Sequence, residues 1–272
     1  MYDGAPKQMQ RVNGAATVRF AGSGRDTRLA DLAQRGAAKA MLPRTHTRVP
    51  EVVFLNTAGG LTGGDRLTYA VDLPGGACAT AATQTAERIY DAGGGVASMD
   101  VDLSLGAGAR LDWLPQETIL FDAASLQRET TVTMGADATY LGVETLVLGR
   151  AAMGEVVRDI SLKDRRRVIR DGVTVVIEPL ELSTERLSGD GPAVLGGARV
   201  MSTVLFVGPG AEDAINPVRS VLDAPGVKAA ASAWNGRLVV RLLAGDAWPV
   251  RQVVARILKV LREDPLPRVW QL

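Results

Sequence analysis

Between residues 51 and 207 apolar and polar side chains alternate with a period of two, the pattern of strands with one buried face. Leu67, Tyr69, Val71 and Leu73 alternate with Thr68, Ala70 and Asp72. Ala97, Met99, Val101, Leu103 and Leu105 alternate with Ser98, Asp100, Asp102 and Ser104. Val173, Val175 and Ile177 follow Asp171-Gly172, a two-residue hairpin signal, and Asn235-Gly236 marks another hairpin before Leu238, Val240 and Leu242. Val200, Ser202, Val204 and Phe206 repeat the pattern more weakly. The chain therefore reads as mainly β. Gly76-Ala77, Gly108-Ala109 and Gly135-Ala136 each separate two such runs, and each unit then reaches a polar segment: Thr83-Gln84-Thr85, Pro115-Gln116-Glu117 and Glu144-Thr145. Stacked β layers or irregular β-helical coils show this arrangement, and a plain antiparallel sandwich with similar turns shows it too.

Helical spacing is concentrated near the end. Val250, Val253, Val254, Ile257, Leu258 and Leu261 fall on one stripe after Pro249, with Asp246 just before and Pro265 and Pro267 beyond. Arg251, Gln252, Arg256, Lys259 and Arg262 take the other sides, as a solvated basic face or a docking face for an acidic partner. A shorter helix is expected from Pro217 to Leu222, and Leu29 to Leu42 fits neither period. No Pro/Ser-rich linker divides the chain, which reads as one domain over 1–272.

The densest local signal is Asn56-Thr57-Ala58-Gly59-Gly60-Leu61-Thr62-Gly63-Gly64-Asp65-Arg66-Leu67. Gly59 and Gly64 have the spacing of a phosphate-binding loop, but Asp65 and Arg66 follow where that loop needs Lys and then Ser or Thr. A carboxylate at that position repels phosphate, so this is no NTPase signature. Asp65 is placed either to cap its own turn or to face a passing ion.

Composition narrows the chemistry. With 46% hydrophobic and 22% charged residues the chain reads as an ordinary soluble globular protein. A net charge of +1 gives no electrostatic reason to expect nucleic acid or an anionic membrane. No apolar run approaches the ~20 residues that span a bilayer, and Met1 to Val12 has no apolar core like that of a secretory signal. One cysteine, Cys78, fits a cytoplasmic setting. With His46 as the single histidine, one chain cannot assemble a Cys/His zinc site. His46 reads as a surface loop residue and Cys78 as a small buried one. Any metal is then held weakly, by carboxylate, carbonyl or hydroxyl oxygens.

Five ordered blocks resemble those of the urease accessory protein UreD (UreH) family. They are Gly59-Gly60-Leu61-Thr62-Gly63-Gly64-Asp65; Ala82-Thr83-Gln84 running on to Tyr90; Leu114-Pro115-Gln116-Glu117-Thr118-Ile119-Leu120-Phe121; Leu148-Gly149-Arg150 with Gly154-Glu155; and Pro267-Arg268-Val269-Trp270. Together they span nearly the whole chain. The resemblance implies a β-rich, helicoidal, β-helix-like fold with two α-helices near the C-terminus. It also implies a non-enzymatic scaffold that binds apo-urease and the partners UreF and UreG, a GTPase. Nickel then passes towards the urease site, through an internal tunnel in one version, with no tightly bound cofactor.

On that reading Asp65, Thr83, Thr85, Glu155 and Glu178 are candidates for a transient nickel path. Gly59, Gly60, Gly63, Gly64, Glu117, Arg251 and Arg256 are candidates for partner interfaces. Any of Glu117, Asp122, Glu144, Glu155 and Glu178 found buried beside a water-filled passage would join the path. A β-helical glycan hydrolase using Glu117 and Asp122 is the main rival, although aromatics at 4% leave few sugar-stacking platforms. A plain interaction module without a metal role is the other.

Overall fold

The computed structural model describes residues 10–45, 47, 49–187 and 195–271, so His46 lies outside the described residues. The chain begins with two antiparallel pairs, β1 (Asn13–Ala21) with β2 (Arg28–Arg35) and β3 (Ala38–Met41) with β4 (Glu51–Asn56). It then winds in coils. One runs through β5 (Arg66–Leu73), β6 (Cys78–Thr83) and β7 (Glu87–Ile89), the next through β8 (Ala97–Leu105), β9 (Arg110–Leu114) and β10 (Thr118–Leu120). β11 (Ala124–Met134) and β12 (Thr139–Leu148) make a third, and β13 (Ile160–Arg170) opens the last. β1, β5, β8, β11 and β13 are successive parallel neighbours, as are β4, β6, β9 and β12 on a second face and β7 and β10 on a third. This is a stacked β arrangement, not an antiparallel sandwich.

The turns explain the repeat. Gly106 N–H donates to Leu73 O at 2.8 Å and Gly135 N–H to Leu105 O at 2.9 Å, so each turn rests on the one before. Gly135 therefore stacks in the place of Gly106, not of Gly108. The third Gly-Ala dipeptide sits two residues early in its turn, where Asp137-Ala138 replaces it. A side chain at Gly106 would meet Gly75 N at 2.5 Å, which is why small residues recur there.

After the coils the direction changes. β14 (Val173–Ser183) folds back on β13 through Asp171-Gly172, both with positive φ, and is followed by α1 (Thr184–Leu187). Beyond it, β15 (Val200–Val207) adds antiparallel to β12. Then come α2 (Ile215–Arg219), β16 (Val227–Trp234), β17 (Arg237–Ala244) and α3 (Ala247–Leu261), with Asn235-Gly236 turning the β16–β17 hairpin. The result is a seven-stranded sheet facing a ten-stranded one. The open span Leu29 to Leu42 is β2 and β3, and α2 lies slightly before the expected Pro217–Leu222.

One expectation on β14 is reversed in part. Val173 and Ile177 are exposed, while Val175 packs against the core together with Val176 and Leu180. An irregularity in register between Val168 and Ile169 leaves Val175 as an extra residue, which flips the alternation to the other face.

Two cores result. The larger lies between the sheets, where the Phe54 ring packs at a tilt against Tyr69 and Trp113. The second lies between the outer face of the ten-stranded sheet and α2 and α3, where all six stripe residues of α3 are buried. Asp246 caps α3 by accepting Trp248 N–H at 2.7 Å. The arginines opposite the stripe are not a solvated face. Arg251 bonds Gln116 Oε1 and Glu117, Arg256 bonds Val221 O and Asp223 O, and buried Arg262 bonds Asp112 and Thr80.

Candidate functional site

The five sequence blocks, scattered from residue 59 to 270, meet on one strip of the coil bends. Leu61 bridges Ile89, and Tyr90 Oη donates to Gly59 O at 3.1 Å, joining the first block to the second. A Cβ on Gly60 would lie 2.4 Å from the Tyr90 ring, and one on Gly63 only 2.0 Å from Ala92 O, so these glycines permit close chain approach. Gln116 N–H donates to Thr83 Oγ1 at 2.8 Å, joining the second block to the third. Arg150 lies 4.3 Å over the Phe121 ring, and Gly149 N–H donates to Leu120 O at 2.8 Å, joining the third to the fourth. Trp270 Nε1 donates to Leu114 O at 2.8 Å, and Arg251 lies 4.8 Å over the Trp270 ring, joining the fifth.

The residues singled out in the sequence fall in separate places. Asp65 is buried and accepts the N–H groups of Val12 at 2.7 Å and Thr62 at 2.8 Å, which closes the glycine loop. Thr83 Oγ1 also donates to Thr85 O. Glu155 takes Arg150 through Nε and Nη2 and the N–H groups of Arg150 and Asp122. Those hydrogen bonds, led by Arg150, outweigh burial and lower its carboxyl to about 2. Arg251 pairs Glu117 at 3.0 Å. Asp122 accepts from the N–H groups of Arg158 and Asp159, which hold its carboxyl below the ordinary value. Glu117 and Asp122, the pair of the hydrolase reading, are thus committed to different partners. Cys78 is half-buried, not enclosed, and burial raises its thiol above the ordinary value against the Arg110 charge. Among the described residues no group of three or more His, Cys, Asp or Glu side chains is placed to hold a metal ion.

Glu178 belongs to a polar network inside the coils, and sequence reasoning missed most of its members. Arg128 is buried between two carboxylates, with Nε and Nη2 on Asp164 at 3.0 and 2.7 Å and Nη1 on Glu144 at 2.7 Å. The same Nη1 reaches Thr118 Oγ1, directly beneath the strip. Arg166 continues the network to Glu178 at 3.4 Å, and Glu178 ends it at exposed Arg241, 2.9 Å away. Trp113 Nε1 donates to Glu144 from the apolar side. Burial raises the Glu144 carboxyl against the Arg128 charge. Asp164, equally buried, is nevertheless held below its ordinary value by Arg128 and Arg166.

A cavity of about 270 Å³ follows this network, lined by Glu144, Asp164, Arg166, Glu178, Ser202 and Arg241 among others. The signal was in the alternation. Arg128 and Thr130 in β11, and Asp164 and Arg166 in β13, occupy the inward phase that Leu126, Val132, Leu162 and Val168 fill with apolar side chains.

The chain is thus a helicoidal β protein with an ionic interior and a strip on which its loops converge. The chain matches the UreD urease accessory protein family over residues 12–271 and belongs to that family. It is 55% identical to the urease accessory protein UreD of Cereibacter sphaeroides (strain ATCC 17025), covering 97% of this chain and 96% of that protein. It is 56% identical to the UreD of Dinoroseobacter shibae, over 99% and 96% of the two chains. With the UreD of Paracoccus denitrificans the identity is 52%, over 100% and 97%. The family role is urease maturation. Among the described residues no helix is long and apolar enough to cross a membrane.

Proposed function

We propose that this chain is a non-enzymatic, cytoplasmic scaffold that binds apo-urease, UreF and the GTPase UreG and passes nickel towards the urease active site. The observation that supports ion passage is the polar interior. A stacked β core of this size ordinarily fills with apolar side chains, because buried charge is costly unless paired. Here six charged residues, from Arg128 to Arg241, run from beneath the strip to the surface along a cavity. Nickel is the cargo of this route. Glu144 and Glu178 offer it exchangeable oxygen ligands, and the arginines that hold them keep either from trapping the ion. The nucleotide chemistry belongs to UreG, in keeping with Asp65 in place of a phosphate-loop lysine. The partners dock on the strip, where Glu117 and Arg251 already meet.

A pull-down of tagged chain from urease-producing cells tests the scaffold. UreF, UreG and the urease subunits are expected to come down together. Recovery of none of them would remove the proposal. Release of sugars from a polymer by the purified chain would instead revive the hydrolase reading.

A further inference from the structure

Beside the strip lies a cleft of about 470 Å³, separate from the ionic cavity. Its floor is apolar, made by Ile119, Val147, Leu148, Val200 and Ala247. Its walls carry apolar groups that remain in water. Trp248 at the start of α3 is 54% exposed, and exposed Ala151 and Ala152 line the opposite side; Met153 and Val156, farther along their loop and outside the cleft lining, are also exposed. That loop is rigidly built. Gly149 turns it at φ 68°, Glu155 clamps Arg150 from within it, and Arg199 Nη2 donates to Glu155 O at 2.8 Å. An exposed Trp beside an apolar floor, with apolar loop residues nearby, is the composition of a protein-binding surface.

The charges select the occupant. The two carboxylates lining the cleft are committed, Glu117 to Arg251 and Asp246 to Trp248 N–H. Among the described residues Arg199 bonds only the carbonyls of Leu148 and Glu155, and no carboxylate pairs with it. We infer that this cleft receives a segment of a partner protein in which a bulky apolar side chain lies next to an Asp or Glu carboxylate. The apolar group fills the floor and the carboxylate meets Arg199. The inference rests on the scaffold reading only for the existence of a partner.

A photo-activated cross-linker at exposed Ala152, in cells making urease, captures whatever enters the cleft. The adduct peptide, read by mass spectrometry, should contain an acidic residue within one helical turn of a large apolar one. That peptide, synthesised, should bind the purified chain, and Ala152→Trp, which fills the cleft, should weaken it about tenfold or more. Raising salt about tenfold should weaken it further. Adducts only with a basic segment or a second copy of this chain would overturn the inference. So would no adduct above that from exposed Asp213, on another face. If urease activation still needs the chain in those cases, the scaffold reading stands and the cleft alone is refuted.

Discussion

Arg128 stands where strand alternation calls for an apolar side chain, and its two carboxylate partners make that position tolerable. Arg128→Leu leaves Glu144 and Asp164 buried without their main counter-charge. We expect a loss of about 3–5 kcal/mol in denaturant unfolding. A variant of unchanged stability would show that the network is hydrated and weakly coupled. Glu87, under the glycine loop, has one side-chain partner, the Asn56 amide at 3.0 Å. Burial, opposed by that hydrogen bond, raises its carboxyl from 4.5 to about 7. Between those values the folded chain holds a proton that the unfolded chain has released, so stability falls as pH rises through the window and levels off above it. Glu87→Gln should flatten that slope in melting curves taken across the window, and an unchanged slope would assign it elsewhere. At this scale Asp65 was legible, because a carboxylate in a phosphate-loop spacing is anomalous in sequence alone. Arg166 was not. Within Arg165-Arg166-Arg167 it reads as part of a basic run, and only the inward phase of β13 separates it from its outward neighbours.

Elements were more legible than sites. The stripe on α3 names its buried face correctly because helix periodicity and burial report the same geometry, and Leu258→Ala there should cost about 2–5 kcal/mol by equilibrium unfolding. Loss of under about 1 kcal/mol would mean that α3 packs loosely on the ten-stranded sheet. The basic residues of the same helix misled. An arginine is long enough to turn back and bond a carbonyl, so polarity at Arg251, Arg256 and Arg262 did not report solvent. β14 misled for a different reason. One extra residue reverses every side chain after it, and nothing in Val173-Thr174-Val175-Val176 marks where the insertion falls. The Gly-Ala repeat showed that turns recur, while the choice between coils and a sandwich needed the parallel pairing of β5 with β8 and of β8 with β11, which is not a local property.

Over the whole molecule, the coils bring sequence-distant loops to one strip and leave a polar seam between the two sheets. On the proposed function the strip is the partners' common surface, and the seam is an ion route that apolar packing would close. Asp65, Glu155 and Glu178 sit in three different settings, a turn cap, a loop clamp and the seam itself. Of these only Glu178 lines the 270 Å³ cavity, so on the proposed function ion contact falls there and at Glu144. The most direct test is the nickel content of urease purified from cells lacking this chain and grown with scarce nickel. The expected product is assembled but nickel-poor, inactive urease. Nickel loading should be restored by the native chain and impaired with Glu144→Gln and Glu178→Gln together, provided that variant folds and still binds its partners. Fully nickel-loaded, active urease in the absence of the chain would contradict it.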